Sequence, residues 1–178
     1  MMSGFEEQRY MISEKPEYPP SIGRLLSMME YTRMTTLEAV EGLSIEELDF
    51  RLNEKGNSIG CLLYHIARVE EIYQILTFEE REPSEDEWKK IGAGVRLGAD
   101  AHKEIKGFEL NFYKEKLIST RQKTLELFKH IEDGWLDEIS PLNTFDKANY
   151  YFCWFHVFED ELSHRGQIRL IRNHQKKD

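Results

Sequence analysis

Residues 57–78 read NSIGCLLYHIARVEEIYQILTF, and this stretch decides the fold. Asn57 and Ser58 are both good helix N-caps, because their short polar side chains can accept from the free N–H groups of a first turn. No proline or glycine interrupts the run after Gly60. Leu62, Ile66, Val69, Ile72 and Tyr73 recur at helical spacing, so one face is apolar and seeks a partner. A helix of this length spans roughly 31 Å, the reach of a bundle helix. His65 falls inside the apolar arc and is expected to point into the protein.

Working outward, the five prolines punctuate the chain. Pro16, Pro19 and Pro20 close an N-terminal arm (residues 1–19), and residues 20–178 form the expected bundle domain. Ser21 to Leu43 carries Ile22, Leu25, Leu26, Met29, Leu37 and Val40 near helical spacing, with Gly42 as a stop. Ser44 followed by Glu47 is a capping-box pattern for a short turn. A third helix is expected over Asn111–Ile131 and a fourth, the most aromatic, over Phe145–Asn173. Residues 79–108 are charged and glycine-bearing; they read as a long connection with one or two helical turns near Glu85–Ile91. β signals are nearly absent. The expectation is an all-α four-helix bundle. The long connection between helices 2 and 3 favours an up-down-down-up order with helices 2 and 4 as neighbours.

Composition narrows the function. Of 178 residues, 33 are acidic and 24 basic, giving a net charge of −9. With no basic block, binding to a phosphate backbone is disfavoured, so no nucleic-acid partner is expected. No apolar run approaches the ~20 residues of a membrane span. Glu6 and Glu7 stand where a signal peptide would need apolar residues, so export is not expected. Cys61 and Cys153 are the only cysteines, as suits a reducing cytoplasm, and both read as small core residues.

The fourth helix holds the unusual pattern. Cys153, His156, Val157, Asp160, His164, Gln167, Ile168 and Ile171 fall on one stripe, mixing apolar residues with His, Asp and His four apart. Residues four apart stack on one face, about 6 Å between Cβ atoms. Either Asp160/His164 or His156/Asp160 could therefore grip one cation. All three could not, since eight residues span about 12 Å and ligands sit about 2.1 Å from the ion. Alone, Asp160/His164 would be a solvated helical ion pair and His65 a hydrogen-bonded core histidine. A His on one helix facing an i, i+4 pair on another is, however, an arrangement that bundles use for metals. Phe152, Phe155 and Phe158 form a separate aromatic sector, suited to core or to a subunit interface.

The run Asn57-Ser58-Ile59-Gly60 through His65-Ile66-Ala67, with Glu70 and Tyr73 to Phe78, resembles the second helix of the DinB-like (DinB/YfiT) superfamily of bacterial proteins. Leu43-Ser44 and Glu46-Glu47-Leu48 continue the likeness upstream, and His164-Arg165-Gly166-Gln167-Ile168 downstream. The resemblance implies a four-helix bundle, a homodimer, and a divalent metal (nickel, zinc or iron) held by three histidines. It places the ligands on His65, Asp160 and His164; the middle one, usually histidine, is here aspartate. Two histidines and a carboxylate suit Fe(II), Mn(II) or Zn(II) and leave positions open. His156, Gln167 and Glu70 are candidates for groups that orient the ligands or face substrate, and Gly166 for close helix approach. Relatives that transfer mycothiol or bacillithiol imply a metal-dependent S-transferase acting on electrophilic small molecules. Metal-dependent hydrolysis and a non-catalytic metal- or ligand-binding dimer are the rival expectations.

Overall fold

A computed structural model of the chain describes residues 9–142 and 147–176. Among them are seven helices, one 3-10 turn (Asp133–Asp137) and no strand, only an isolated bridge between Ile139 and Asn149. The long helices are α1 (Pro20–Ala39), α3 (Ile59–Phe78), α6 (Leu110–Phe128) and α7 (Tyr150–Gln175). Short helices α2 (Ile45–Asp49), α4 (Glu85–Arg96) and α5 (Gly98–Glu104) lie between. None of the described helices is long and apolar enough to cross a membrane.

Local chemistry explains the ends. Pro20 occupies the first turn of α1, where a missing N–H costs nothing. Ser44 and Glu47 form the capping box of α2, and Ser58 caps α3 by accepting from Cys61 N. Asn149 accepts from Phe152 N at 2.9 Å and opens α7. The expected start at Phe145 lies outside the described residues, and the helix begins at Tyr150.

Residues 79–108 depart most from expectation. They hold two helices rather than isolated turns, and α4 packs on α3. Ser84 and Glu87 close a full capping box with three acids in the first turn, which favours a helix N-terminus. The helix then runs past Gly92 and Gly94, whose low propensity is overridden by packing: Ile91, Gly92 and Gly94 are all buried.

Helix α3 packs on α6 and α7, and α1 on α7 and α6. Along α3 and α6 the pairs climb together: Gly60 lies by Tyr113, Glu70 by Arg121, Gln74 by Thr124. Along α3 and α7 they run in opposite senses, with His65 by His164 and Tyr73 by His156.

Two apolar clusters fill the interior. One gathers Ile22, Leu25, Met29, Ile72, Leu76, Phe128, Trp154 and Val157; the other gathers Val40, Ile59, Leu62, Ile66, Tyr113, Leu117, Ile168 and Ile171. Between them lies a charged layer to which each long helix gives one residue: Arg33, Glu70, Arg121 and Glu161, all buried. Arg33 Nε donates to Glu161 Oε1 at 2.9 Å, and its Nη2 donates to Glu70 Oε2 at 2.9 Å. Arg121 Nε donates to Glu70 Oε1 at 2.6 Å. The spare guanidinium donors go to backbone carbonyls, Arg33 to Leu117 O and Arg121 to Met29 O. Thr124 donates to Glu70 Oε1, and Gln74 donates to Thr124.

Two cations thus meet two anions, and the geometry satisfies their hydrogen bonds, which is the condition for burying charge. Burial alone would push the Glu70 carboxyl up, but Arg121 and Arg33 outweigh it and hold it down to about 2. A carboxylate depressed in this way stabilises the fold above the ordinary glutamate value of 4.5, and that stabilisation is lost as pH falls toward about 2. It amounts to on the order of 3 kcal/mol. Acid unfolding followed by circular dichroism will show stability declining through this window, and Glu70→Gln will flatten the decline. Arg33→Met leaves two buried carboxylates short of a partner and will cost about 3–5 kcal/mol in urea denaturation. A loss below about 1 kcal/mol, the scale of an exposed pair, would contradict the layer's role.

Candidate metal centre

The three residues singled out by spacing and resemblance come together. His65 is presented by the buried face of α3, and Asp160 and His164 by successive turns of α7. His65 Nε2 lies 3.4 Å from Asp160 Oδ2, and His164 Nε2 lies 3.3 Å from Asp160 Oδ1. The imidazoles meet edge to face with centroids 4.7 Å apart. One ligand atom from each residue lies within 4.8 Å of the others.

These separations fit a cation. Charge-assisted N–H···O bonds close to about 2.7–2.9 Å, and the two His–Asp distances are longer. Two ligands about 2.1 Å from a tetrahedral ion stand about 3.4 Å apart. Asp160 Oδ2 is buried without a hydrogen-bond partner among the described residues, an acceptor that a cation would satisfy. Burial raises the Asp160 carboxyl, yet His164 and His65 outweigh it and keep it well below the usual carboxylate range. The acid is therefore charged at neutral pH, as a ligand must be. The side chains are 9% (His65), 19% (Asp160) and 12% (His164) exposed, so the cluster sits at the edge of the core and not sealed inside it.

His65 has a second contact that spacing in the sequence did not reveal. Its Nδ1 lies 2.9 Å from Gly94 O on α4. A carbonyl only accepts, so Nδ1 carries a proton and Nε2 is the ring nitrogen turned toward Asp160. Metal-binding histidines are typically held by such an outer hydrogen bond. His164 Nδ1 has no comparable partner among the described residues.

The remaining candidates separate. Glu70 belongs to the buried charged layer, with both oxygens taken by Arg33, Arg121 and Thr124. It is ionised and fully buried within that layer. His156 Nδ1 lies 3.1 Å from Glu159 Oε2, and its ring packs near Tyr73 and Phe152. Gln167 is exposed on the turn after His164. Gly166 does not serve close helix approach: a Cβ there would meet nothing within 4 Å, whereas one at Gly60 would strike Tyr113 Oη at 2.5 Å. Tyr73 lies near enough to Asp160 that the carboxylate adds to burial and Cys153 in raising its phenol. Both cysteines are buried and unpaired, as expected, and burial pushes both thiols up.

Comparison with solved structures places the fold. A crystal structure of a Streptococcus pneumoniae protein matches with a TM-score of 0.61 at 16% identity, covering 86% of this chain and 89% of that one. A conserved protein from Enterococcus faecalis matches with a TM-score of 0.64, again at 16% identity, over 83% of this chain and 92% of the other. None of the curated proteins matches. The model of the mycothiol S-transferase family, within the DinB-like superfamily, matches residues 24–176. With nearly its whole length so matched, the chain belongs to the mycothiol S-transferase family.

Proposed function

We propose that the chain is a divalent-metal-dependent S-transferase that joins a low-molecular-weight thiol to an electrophilic small molecule. The proposed scaffold is a four-helix bundle of up-down-down-up sense, with residues 1–19 as an arm on the 20–178 domain. The opposite senses of the α3–α7 and α3–α6 contact pairs support that topology. The observation that carries the functional reading is the meeting of His65, Asp160 and His164 around an orphaned carboxylate oxygen.

Two imidazoles and one carboxylate on two adjacent helices would hold nickel, zinc or iron and leave positions open. When bound, the cation supplies the positive charge that favours the thiolate form of a small thiol at neutral pH. His65 presents Nε2 because Gly94 O holds the proton on Nδ1. Asp160 is kept anionic by its two histidine neighbours and brings one negative charge, where a third histidine would bring none. The chain's own thiols are poor nucleophiles, since Cys61 and Cys153 are buried with raised pKa. The transferred sulfur therefore comes from the small molecule. In the overall step the thiol S–H gives up its proton, an S–C bond forms, and the leaving group departs from the electrophilic carbon. With no membrane-crossing helix among the described residues and two thiols outside any disulfide, the proposed location is the cytoplasm. A homodimer is proposed through α7, where Phe152 and Phe155 are 40% and 42% exposed beside the buried Phe158.

Incubation of metal-loaded protein with bacillithiol and a chlorinated aromatic electrophile will yield the S-conjugate by mass spectrometry. Ester cleavage without thiol would instead indicate hydrolysis, and no turnover in either assay a binding protein. His65→Ala and His164→Ala will each lose stoichiometric metal in elemental analysis while keeping their helical dichroism; one retained equivalent in both would overturn the ligand assignment. Asp160→His will tighten nickel or zinc binding, and unchanged affinity would place Asp160 outside the ligand set. Phe155→Glu will convert a dimer to a monomer in light scattering, and a wild-type monomer at micromolar concentration would refute the interface.

A further inference from the structure

Helix α4 lies closer to α3 than any side chain at Gly94 would allow. A Cβ at this position would stand 2.7 Å from Tyr64 Cδ1 and 2.8 Å from Arg68 Cγ, well inside contact distance. Neither obstacle yields readily. The Tyr64 ring is stacked on Phe112 at 6.1 Å with planes 6° apart, and the Arg68 guanidinium lies 4.5 Å from its centroid. Arg68 Nη2 also donates to Tyr64 Oη at 2.5 Å, and Arg68 is paired with Glu71. The hindrance is therefore at the ring and at the first carbons of the arginine, not at a mobile tip.

Only at this approach can the Gly94 carbonyl reach His65 Nδ1, which it does at 2.9 Å. We propose that Gly94 is a positioning residue for the metal centre: its missing side chain lets α4 close on α3, and its carbonyl then accepts from His65 Nδ1 and holds the ring with Nε2 turned to Asp160. The inference rests on the metal-site reading and adds to it the device that prepares one ligand before any metal arrives. It gives the segment between the long helices a role at the site, although that segment supplies no ligand.

The test uses Gly94→Ala in the full chain, with two measurements. Nitrogen-15 NMR of the metal-free protein reports the His65 tautomer, and competition titration with nickel or zinc reports affinity. Wild type will show Nδ1 protonated; Gly94→Ala will lose that preference and bind metal about 10–100-fold more weakly. Ile91→Ala, one turn earlier on the same helix and packed in the apolar cluster that holds Val69 and Ile72, will lower stability yet leave tautomer and affinity unchanged. Adding Tyr64→Ala and Arg68→Ala to Gly94→Ala removes the obstacle and will restore both readouts. An unaltered tautomer and affinity in Gly94→Ala would overturn the proposal, as would an equal effect from Ile91→Ala. A wild type that takes up no metal while its tautomer responds as described would refute the metal reading alone.

Discussion

The charged layer of Arg33, Glu70, Arg121 and Glu161 is the constraint on which the rest of this structure depends. Apolar side chains will accept many sliding registers of one helix on another, because their attraction has little direction. Guanidinium–carboxylate contacts do not. A shift of one helix by a single residue, about 1.5 Å, would break contacts of 2.6–3.1 Å. It would also leave charge uncompensated in a medium where that is costly. Since each long helix contributes one member, all four are indexed to a common level.

The candidate metal centre inherits that level. Asp160 immediately precedes Glu161 on α7, and His65 stands little more than a turn before Glu70 on α3. Fixing Glu70 and Glu161 through shared arginines fixes how α3 faces α7, which brings His65 against Asp160 and His164. The division of labour is clear in the charges. Glu70 and Glu161 are neutralised by arginine and wholly buried, whereas Asp160 is flanked by His65 and His164 and keeps an oxygen with no hydrogen bond among the described residues, at the edge of the core. Three buried or part-buried acids close together thus serve two ends, one holding the scaffold and one available to a cation.

Much of this was legible in the residues. Helical periodicity in 57–78 and the caps at Ser44 and Ser58 placed α1 to α3 to within a few residues, and the His-Asp-His spacing drew attention to α7. The pairing of His65 with Asp160 and His164 followed from the family resemblance, since i, i+4 spacing alone left His156/Asp160 open. Two features were hidden for different reasons. Arg33, Arg121 and Glu161 look like ordinary surface charges in a helical pattern, because their burial depends on partners far away in sequence; the apolar arc around Glu70 was the one local hint. The contact from Gly94 to His65 was hidden because a backbone carbonyl has no sequence signature. The helix that carries it did have one, the Ser84–Glu87 capping box, which the glycines beyond it obscured.

The account's central claim is that two distant histidines and one aspartate share a single ion. X-ray absorption at the metal edge of protein loaded with one equivalent of zinc or nickel tests it most directly. The account predicts two imidazole nitrogens and at least one carboxylate oxygen in the shell, with one imidazole lost in His65→Ala. A shell composed of water and carboxylates alone, unchanged by that substitution, would contradict it.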